Sequence, residues 1–228
     1  MKLAKPMIDL GLSTNNLEPM VEFWAHEVGL RLDHVLPVRR GQKQYRYDAG
    51  GSVIKVNHHH DPLPDAAPSG YRELLIARAD LKRTRQLTDP DGNRVSLVPT
   101  AFAEFEQIAI RVHVSSMEAH RRFYADVLGF AEFPVADGIG FRAGSTSLLL
   151  NQQGNVARDP GIRGRGWRYI TLQVFKVDEA HSFALSAGAR EALPPTTLGS
   201  TARISMILDP DGNWIELSQR ASIVGSLD

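Results

Sequence analysis

The amino-acid sequence predicts an α+β protein of two related halves, built from modules with the order strand, helix and three strands. Two observations lead to this prediction. Three motifs occur twice in the same order, and the period-2 apolar pattern of a strand is followed in both halves by the pattern of an amphipathic helix. The repeated segments are residues 23–30 and 123–130, residues 70–72 and 166–168, and residues 89–93 and 209–213.

The first module begins with a strand, because apolar residues alternate with polar or small ones over residues 8–13. A helix with one apolar face follows, with Asn16 as its predicted cap and Gly29 at its end. Two short β segments follow at residues 44–48 and 52–57. Together with a third strand, located between the helix and residue 44, they are predicted to complete the module.

The second half repeats this pattern. Residues 108–113 alternate as a strand, and residues 115–118 form a capping-box pattern before the next helix. Residues 140–142 and 146–151 are the strand segments that follow. The repeat predicts one complete module at the start of each half.

The second half then starts a further module. Residues 169–174 predict a strand, and Asp178 is the expected cap of a helix that ends at Gly188. Residues 203–208 and 213–218 are strands on either side of an Asp-Pro-Asp-Gly-Asn turn, which has suitable hairpin chemistry.

The corresponding module of the first half is truncated. The segment from Arg72 to Asp89 is 24 residues shorter than the segment from Arg168 to Asp209. Residues 81–87 are too few and too basic for a packed helix. We therefore expect no helix between Arg72 and Asp89.

These boundaries divide the chain into two predicted domains joined by a linker near residues 99–106. Residues 1–100 form the N-terminal domain, whose second module lacks its helix, and residues 106–220 form the complete C-terminal domain. The length of 228 residues suits two domains of about 110 residues each.

The composition excludes several classes of protein. The chain contains no cysteine, which excludes disulfides, Cys-ligated zinc and thiol catalysis. Lys+Arg and Asp+Glu both number 26, and this balance argues against nucleic-acid and membrane partners. No apolar run approaches 18 residues and the N-terminus lacks a signal-peptide pattern, so we expect a cytoplasmic protein.

The repeated motifs resemble those of the vicinal oxygen chelate superfamily, which includes glyoxalase I, bleomycin resistance proteins and extradiol dioxygenases. Phe23-Trp24 before Gly29-Leu30, its counterpart in the second half, and Asp-Pro-Asp-Gly-Asn before Ile215-Glu216-Leu217 carry the resemblance. It implies tandem βαβββ modules whose sheets curl into two glyoxalase/dioxygenase-like cup domains, the first truncated, with helices on the convex side. Alternation places Asp9, Ala109, Arg111 and His113 on the cup faces.

The resemblance also implies where a metal would bind. Metal-dependent members take a His from the first strand of a domain, a His from the fifth and a Glu from the eighth, a set that suits Fe, Mn, Ni or Zn. The C-terminal half has Ala109, Tyr169 and Glu216 there, of which Glu216 alone is a conventional ligand. The equivalents in the N-terminal half are Asp9, Glu73 and Ser96, with Lys55 where glyoxalase-like members carry another Glu. We therefore predict no cofactor and no family-type metal triad.

A second set of residues is expected to line the C-terminal cup. Arg111 either forms an internal ion pair with Glu216 or holds the carboxylate or enolate of a ligand, while His113 or Glu216 moves a proton. The predicted catalytic residues are His113 and Glu216, and the predicted ligand-binding residues are Arg111, Trp167, Tyr169 and Trp214.

Three functions remain open at this point. The leading hypothesis is a protein that binds a small, anionic organic molecule in the C-terminal cup without a metal triad, either sequestering it or acting as a metal-free enzyme. The alternative is a divalent-metal lyase or isomerase of the glyoxalase type, or a ring-cleaving extradiol-type dioxygenase, that uses Glu216 with Fe, Mn, Ni or Zn. The third is a structural or dimerising domain. A small molecule is the expected partner, and a homodimer remains open.

Overall fold

The computed structural model describes residues 1–227, which form two β-sheets with few helices. The strands of the first half are β1 (Leu3–Thr14), β2 (Arg31–Arg39), β3 (Gln42–Ala49), β4 (Ser52–His59), β5 (Tyr71–Arg78), β6 (Arg85–Thr88) and β7 (Arg94–Pro99). Those of the second half are β8 (Ile108–Val114), β9 (Ala131–Val135), β10 (Gly138–Ala143), β11 (Thr146–Gln152), β12 (Gly166–Val174), β13 (Arg190–Leu198), β14 (Ala202–Leu208) and β15 (Trp214–Arg220).

The helices are short. They are α1 (Leu17–Glu22), α2 (Met117–Arg122), α3 (Val177–Ser186) and α4 (Ala221–Val224). The first two continue into a wider π-helical turn, Phe23–Glu27 and Phe123–Val127 respectively. No helix within residues 1–227 is long and apolar enough to cross a membrane.

Each sheet combines strands from both halves of the chain. Sheet A has the order β13-β14-β15-β12-β1-β4-β3-β2, and sheet B has the order β6-β7-β5-β8-β11-β10-β9. The first module therefore pairs with the last, and the two middle modules pair with each other. This confirms the α+β fold of βαβββ modules in two cup-like units, but the expectation that each half closes its own cup is wrong. The boundaries 1–100 and 106–220 remain a prediction about units of sequence.

The two halves share sheets because the first strand of each module has a free edge that another module must cover. The sequence repeat does not determine which module covers it. The antiparallel pair that joins two modules is β1 with β12 in sheet A and β5 with β8 in sheet B. Both pairs join a strand of the first half to one of the second.

The truncation of the second module is confirmed. Within residues 78–88 the chain makes a turn and then the short strand β6, with no helix. Strand β6 pairs with β7 as β14 pairs with β15, so the first half lacks the counterparts of α3 and β13. Sheet B consequently has seven strands where sheet A has eight.

The even-numbered residues of the first strands face the helices. Ile8, Leu10 and Leu12 are fully buried, and they share one continuous apolar core with α1, α2, α3 and both sheets. Each such side chain contributes about 1.5–3 kcal/mol on burial. We call the opposite, helix-free face of sheet A cup A and that of sheet B cup B; the odd-numbered residues of β1 and β8 point into them.

The helix starts differ in detail from expectation. Ser116 caps α2 by accepting the Ala119 N–H at 3.3 Å. Asn16 precedes α1 without capping it, and its side-chain amide donates to Asp91 at 2.6 Å. Helix α3 begins at Val177, which places Asp178 inside the first turn, where its charge suits the helix dipole.

The second Asp-Pro-Asp-Gly-Asn turn fastens the two sheets together. Asp209 accepts the backbone N–H groups of Asp211 and Asn213, and Asn213 Oδ1 accepts the Gly70 N–H at 2.6 Å. His120 of helix α2 is fully buried against this turn, 3.6 Å from Asp209 and 3.4 Å from Asp211. The turn is thus a packing element as well as a hairpin loop.

Candidate functional site

The floor of cup A is a row of polar side chains on adjacent strands. Asp9 lies opposite Thr171 in the β1–β12 register, and Thr171 lies beside Glu216 in the β12–β15 register. Lys55 reaches across the row and donates to Thr171 Oγ1 at 2.6 Å, with Glu216 Oε1 at 3.5 Å. The Lys55 side chain is only 4% exposed.

Asp9 is also fully engaged. Its carboxylate accepts hydrogen bonds from Lys5 Nζ at 2.8 Å, from the Val53 N–H at 2.9 Å and from Gln173 Nε2 at 3.3 Å. Both carboxylates of the floor therefore have internal cationic partners.

These residues do not fit a divalent metal of the kind that the fold family implies. A lysine ammonium has three donors and no lone pair, and Lys55 stands where a ligand would have to converge with Glu216. Burial lowers the pKa of Lys55, whereas Glu216 and Asp9 favour the charged form. Within residues 1–227 no group of three or more His, Cys, Asp or Glu side chains has the geometry of a metal site. The positions predicted as one set are also split, because Ala109 lies in sheet B and Tyr169 and Glu216 in sheet A.

Tyr169 fills the centre of cup A. Its ring lies directly over Gly11, where any β-carbon would overlap the ring carbons Cε1 and Cζ. Its hydroxyl accepts hydrogen bonds from Gln44 at 3.3 Å and Asn57 at 3.2 Å, and burial raises its pKa. The Lys55 ammonium lies 5.4 Å from the ring centroid. Tyr169 is therefore a packed and hydrogen-bonded part of the cup interior.

The two predicted tryptophans do not join Arg111. A β-bulge after Gly11 turns Trp167 to the helix side, where its ring lies 6.0 Å from that of Trp24. Trp214 is half-buried beneath the loop before β12, and its indole N–H donates to the Pro160 carbonyl at 2.9 Å. Neither ring lines cup B.

Arg111 lies in cup B and pairs with Glu73. The Arg111 Nε donates to Glu73 Oε2 at 2.9 Å, one Nη donates to Asn151 Oδ1 at 3.2 Å, and Ser96 donates to Glu73 Oε1 at 2.6 Å. The expected pairing of Glu216 with Arg111 or His113 is wrong, because β8 pairs with β5 rather than with a strand of the last module. Sequence reasoning had placed Glu73 among oxygen ligands without assigning it this partner.

Cup B contains open space beside this pair. A cavity of about 360 Å³ borders Glu73, Ser96, Arg94 and Arg111, and a second of about 240 Å³ continues from Arg111 towards the linker. Both cavities touch Leu75 and Val98. These belong to a separate apolar cluster that forms the floor of cup B, completed by Ala109, Leu149 and Phe105. The floor of cup A is thus formed by ionised side chains, whereas the floor of cup B is formed by apolar ones.

The mouth of cup B is basic. Arg94 is exposed, and its guanidinium makes no hydrogen bond or ion pair with another side chain in residues 1–227. His113 is half-buried nearby, and its pKa is lowered by burial and by Arg72, Arg94 and Arg111. Sequence reasoning missed Arg94; its position after the first Asp-Pro-Asp-Gly-Asn turn, matching Trp214 in the repeat, is the signal that was available.

Cup B can therefore recognise an anion on an apolar floor. Guanidinium groups bind carboxylates through two parallel hydrogen bonds. Arg111 still has a free terminal nitrogen after its bonds to Glu73 and Asn151, and Arg94 has its whole fork. Glu73 is the one carboxylate lining the larger cavity and so the one able to accept a proton from a ligand there.

Comparison with known proteins agrees with the fold. Residues 105–217 match the model of the Glyoxalase/Bleomycin resistance protein/Dioxygenase superfamily. Glyoxalase I from Zea mays superposes with a TM-score of 0.79 at 14% identity, over 96% of this chain and 95% of that chain. A putative dioxygenase from Bacillus subtilis superposes with a TM-score of 0.68 at 11% identity, over 93% of this chain and 84% of that chain. No curated protein matches the sequence.

At these identities the structural likeness establishes the fold and no activity. The motif repeat, the two sheets of βαβββ modules and the family match over the second half agree with one another. The chain therefore belongs to the glyoxalase/bleomycin resistance protein/dioxygenase group, the vicinal oxygen chelate superfamily.

Proposed function

We propose that this protein binds a small organic anion in cup B and that it does so without a divalent metal. One observation carries the proposal: a cavity of about 360 Å³ holds two arginines beside an apolar floor. Ligand sites of this kind are concave and largely apolar, with a few convergent polar groups.

The charges in the cavity support an anionic ligand. Glu73 neutralises Arg111 at 2.9 Å, which leaves Arg94 as the uncompensated charge among the residues that line the cavity. His113 adds little positive charge at neutral pH, because burial and the neighbouring arginines lower its pKa. A monoanion with an apolar body matches this balance.

The donor chemistry of the two cups supports a metal-free site. In cup A the ammonium of Lys55 stands beside Glu216, and in cup B the corresponding floor is formed by Leu75, Ala109 and Leu149. A metal-dependent lyase, isomerase or ring-cleaving dioxygenase would need oxygen or nitrogen ligands at these places. We therefore place the metal-dependent alternative second.

A metal-free enzyme is the second form of the same proposal. The Glu73 carboxylate borders the cavity, held by Ser96 and Arg111. A carboxylate fixed in this way can remove a proton from the carbon next to a ligand carbonyl, while the guanidinium stabilises the resulting enolate. Sequestration needs the same contacts but no proton transfer.

A thermal-shift screen of small carboxylates and phenols tests the proposal. Wild type is compared with Arg94→Met and with Arg122→Met, a surface control in which the replaced arginine has a single exposed partner, Glu118. A true hit should stabilise wild type and the Arg122 variant equally and the Arg94 variant much less. If every hit stabilises all three proteins alike, Arg94 is not part of a site.

If hits are found, exchange of the ligand α-proton for deuterium separates the two forms. Proton NMR should detect exchange catalysed by wild type, and Glu73→Gln should lose that exchange while still binding the ligand if the protein is an enzyme. Binding without exchange by wild type would leave sequestration as the function.

A further inference from the structure

Arg46 is a buried cation without an anionic partner. It lies on β3, and only 6% of its surface is exposed. One Nη donates to Gln44 Oε1 at 2.6 Å, while its Nε is buried with no hydrogen-bond partner. No carboxylate within residues 1–227 forms a salt bridge with it. Burying a guanidinium in this way is costly unless an anion compensates it.

The neighbourhood does not supply that anion. Arg46 lies opposite Lys55, a second cation, in the β3–β4 register. The Asp33 carboxylate, whose pKa the charge of Arg46 helps to lower, is exposed and hydrogen-bonded to His34 instead. Asp9 is bonded to Lys5, and Glu216 lies beside Lys55. Both carboxylates of the floor are thus already matched by lysines.

A further arginine faces the same space. Arg220 is half-buried at the end of β15, and its pKa is lowered by burial and by the charge of Arg46, whereas Glu216 and Asp9 act in the opposite direction. Among residues 1–227, the interior of cup A therefore holds four basic side chains against two acidic ones. The basic groups are Lys5, Arg46, Lys55 and Arg220, and the acidic groups are Asp9 and Glu216.

The open end of cup A is basic as well. His59 lies at the end of β4 and donates or accepts a hydrogen bond at 3.2 Å with Ser13. Burial and the charges of Arg39 and Arg163 lower its pKa, so the positive charge at this end comes from the two arginines and not from His59. Positive charges around one opening attract anions.

We propose that cup A holds a compact oxyanion, such as inorganic phosphate, against the guanidinium of Arg46 and beside Arg220. The anion must be small, because the Tyr169 ring and the Lys55 chain occupy the centre of the cup. This site is distinct from the ligand site proposed for cup B, and either can exist without the other.

Phosphate binding followed by ³¹P NMR tests the proposal, because line broadening reports binding directly and does not depend on protein stability. Four proteins are compared at constant ionic strength: wild type, Arg46→Met, Arg94→Met as the cup B control, and Arg122→Met as the surface control. Wild type, the Arg94 variant and the Arg122 variant should broaden the phosphate signal saturably. Arg46→Met should bind at least tenfold more weakly.

Stability gives an independent readout. Removing an uncompensated buried charge should leave Arg46→Met at least as resistant to urea as wild type in phosphate-free buffer, and added phosphate should stabilise wild type more than the variant. Should Arg46→Met fold poorly, Arg46→Lys, which keeps the charge and loses the fork, serves in its place and should show intermediate broadening. The proposal is overturned if Arg46→Met still binds phosphate saturably, or if Arg94→Met loses binding instead. It is also overturned if wild type does not broaden the phosphate signal.

Discussion

The guanidinium of Arg111 contacts the carboxylate of Glu73 at 2.9 Å, and this ion pair joins β8 of the second half to β5 of the first. The pair lies in the wall of cup B, with the Glu73 side chain 11% and the Arg111 side chain 29% exposed. It fixes one side of the cavity and is one of the contacts that depend on the observed pairing of modules.

Breaking this pair from one side should destabilise the protein. Arg111→Met leaves Glu73 buried with Ser96 as its remaining side-chain donor, and we expect a loss of about 1–3 kcal/mol in the free energy of unfolding. Urea unfolding of both single variants and of Arg111→Met with Glu73→Gln forms a double-mutant cycle. The double variant should be more stable than the sum of the two losses predicts. Additive losses would mean that the two side chains do not interact.

Gly11 should not tolerate a methyl group. A β-carbon there would overlap the Tyr169 ring, which is held by Gln44 and Asn57 and cannot move freely. Gly11→Ala should therefore cost about 1–3 kcal/mol of stability. Gly154→Ala is the matched control, since its β-carbon meets open space; that change should stay within about 0.5 kcal/mol. Equal denaturation midpoints for the two variants would rule out the packing described for cup A.

His120 should make stability depend on pH. Burial alone would lower its pKa, but Asp209 and Asp211 outweigh that effect and raise it above 6.5. A raised pKa means that the stabilisation is fully present below about pH 6.5 and is lost as pH rises through the higher folded-state value. The free energy of unfolding, measured by urea at pH 6, 7, 8 and 9, should fall faster with pH for wild type than for His120→Gln. Parallel curves for the two proteins would contradict the charged state assigned to His120.

We expect Lys55 to prevent a divalent metal from binding in cup A. Replacing it by Glu adds a carboxylate next to Glu216 and removes the ammonium. Lys55→Glu should therefore be stabilised by Mn²⁺ or Zn²⁺ in a thermal-shift assay, whereas wild type and Lys55→Met should not. One equivalent of metal in untagged wild type, lost on Glu216→Ala, would show that the metal-dependent alternative is correct.

Much of the fold could be predicted because it depends on local patterns. The alternation over residues 108–113 correctly put Arg111 and His113 on the helix-free face, and the shortened spacing after Arg72 correctly removed a helix. Such patterns involve residues that are close together in the sequence, and they do not depend on which modules pair.

The partners across the sheets could not be predicted in the same way. Arg111 was expected to meet Glu216, but which module covers the edge of β8 is a long-range property that the repeat leaves open. Trp167 was misplaced by a single β-bulge, since a shift of one residue sends a strand side chain to the other face. Arg94 was missed although it matches Trp214 in the repeat, because the match to Trp214 does not show that the residue borders a cavity in sheet B.

Calorimetric titration of the best carboxylate ligand in buffer with EDTA tests the central claim most directly. Wild type and Arg122→Met should bind with the same affinity despite the chelator, and Arg94→Met should bind at least tenfold more weakly, because it loses a charged hydrogen bond. Binding that EDTA abolishes, or that Arg94→Met leaves unchanged, would contradict a metal-free anion site in cup B.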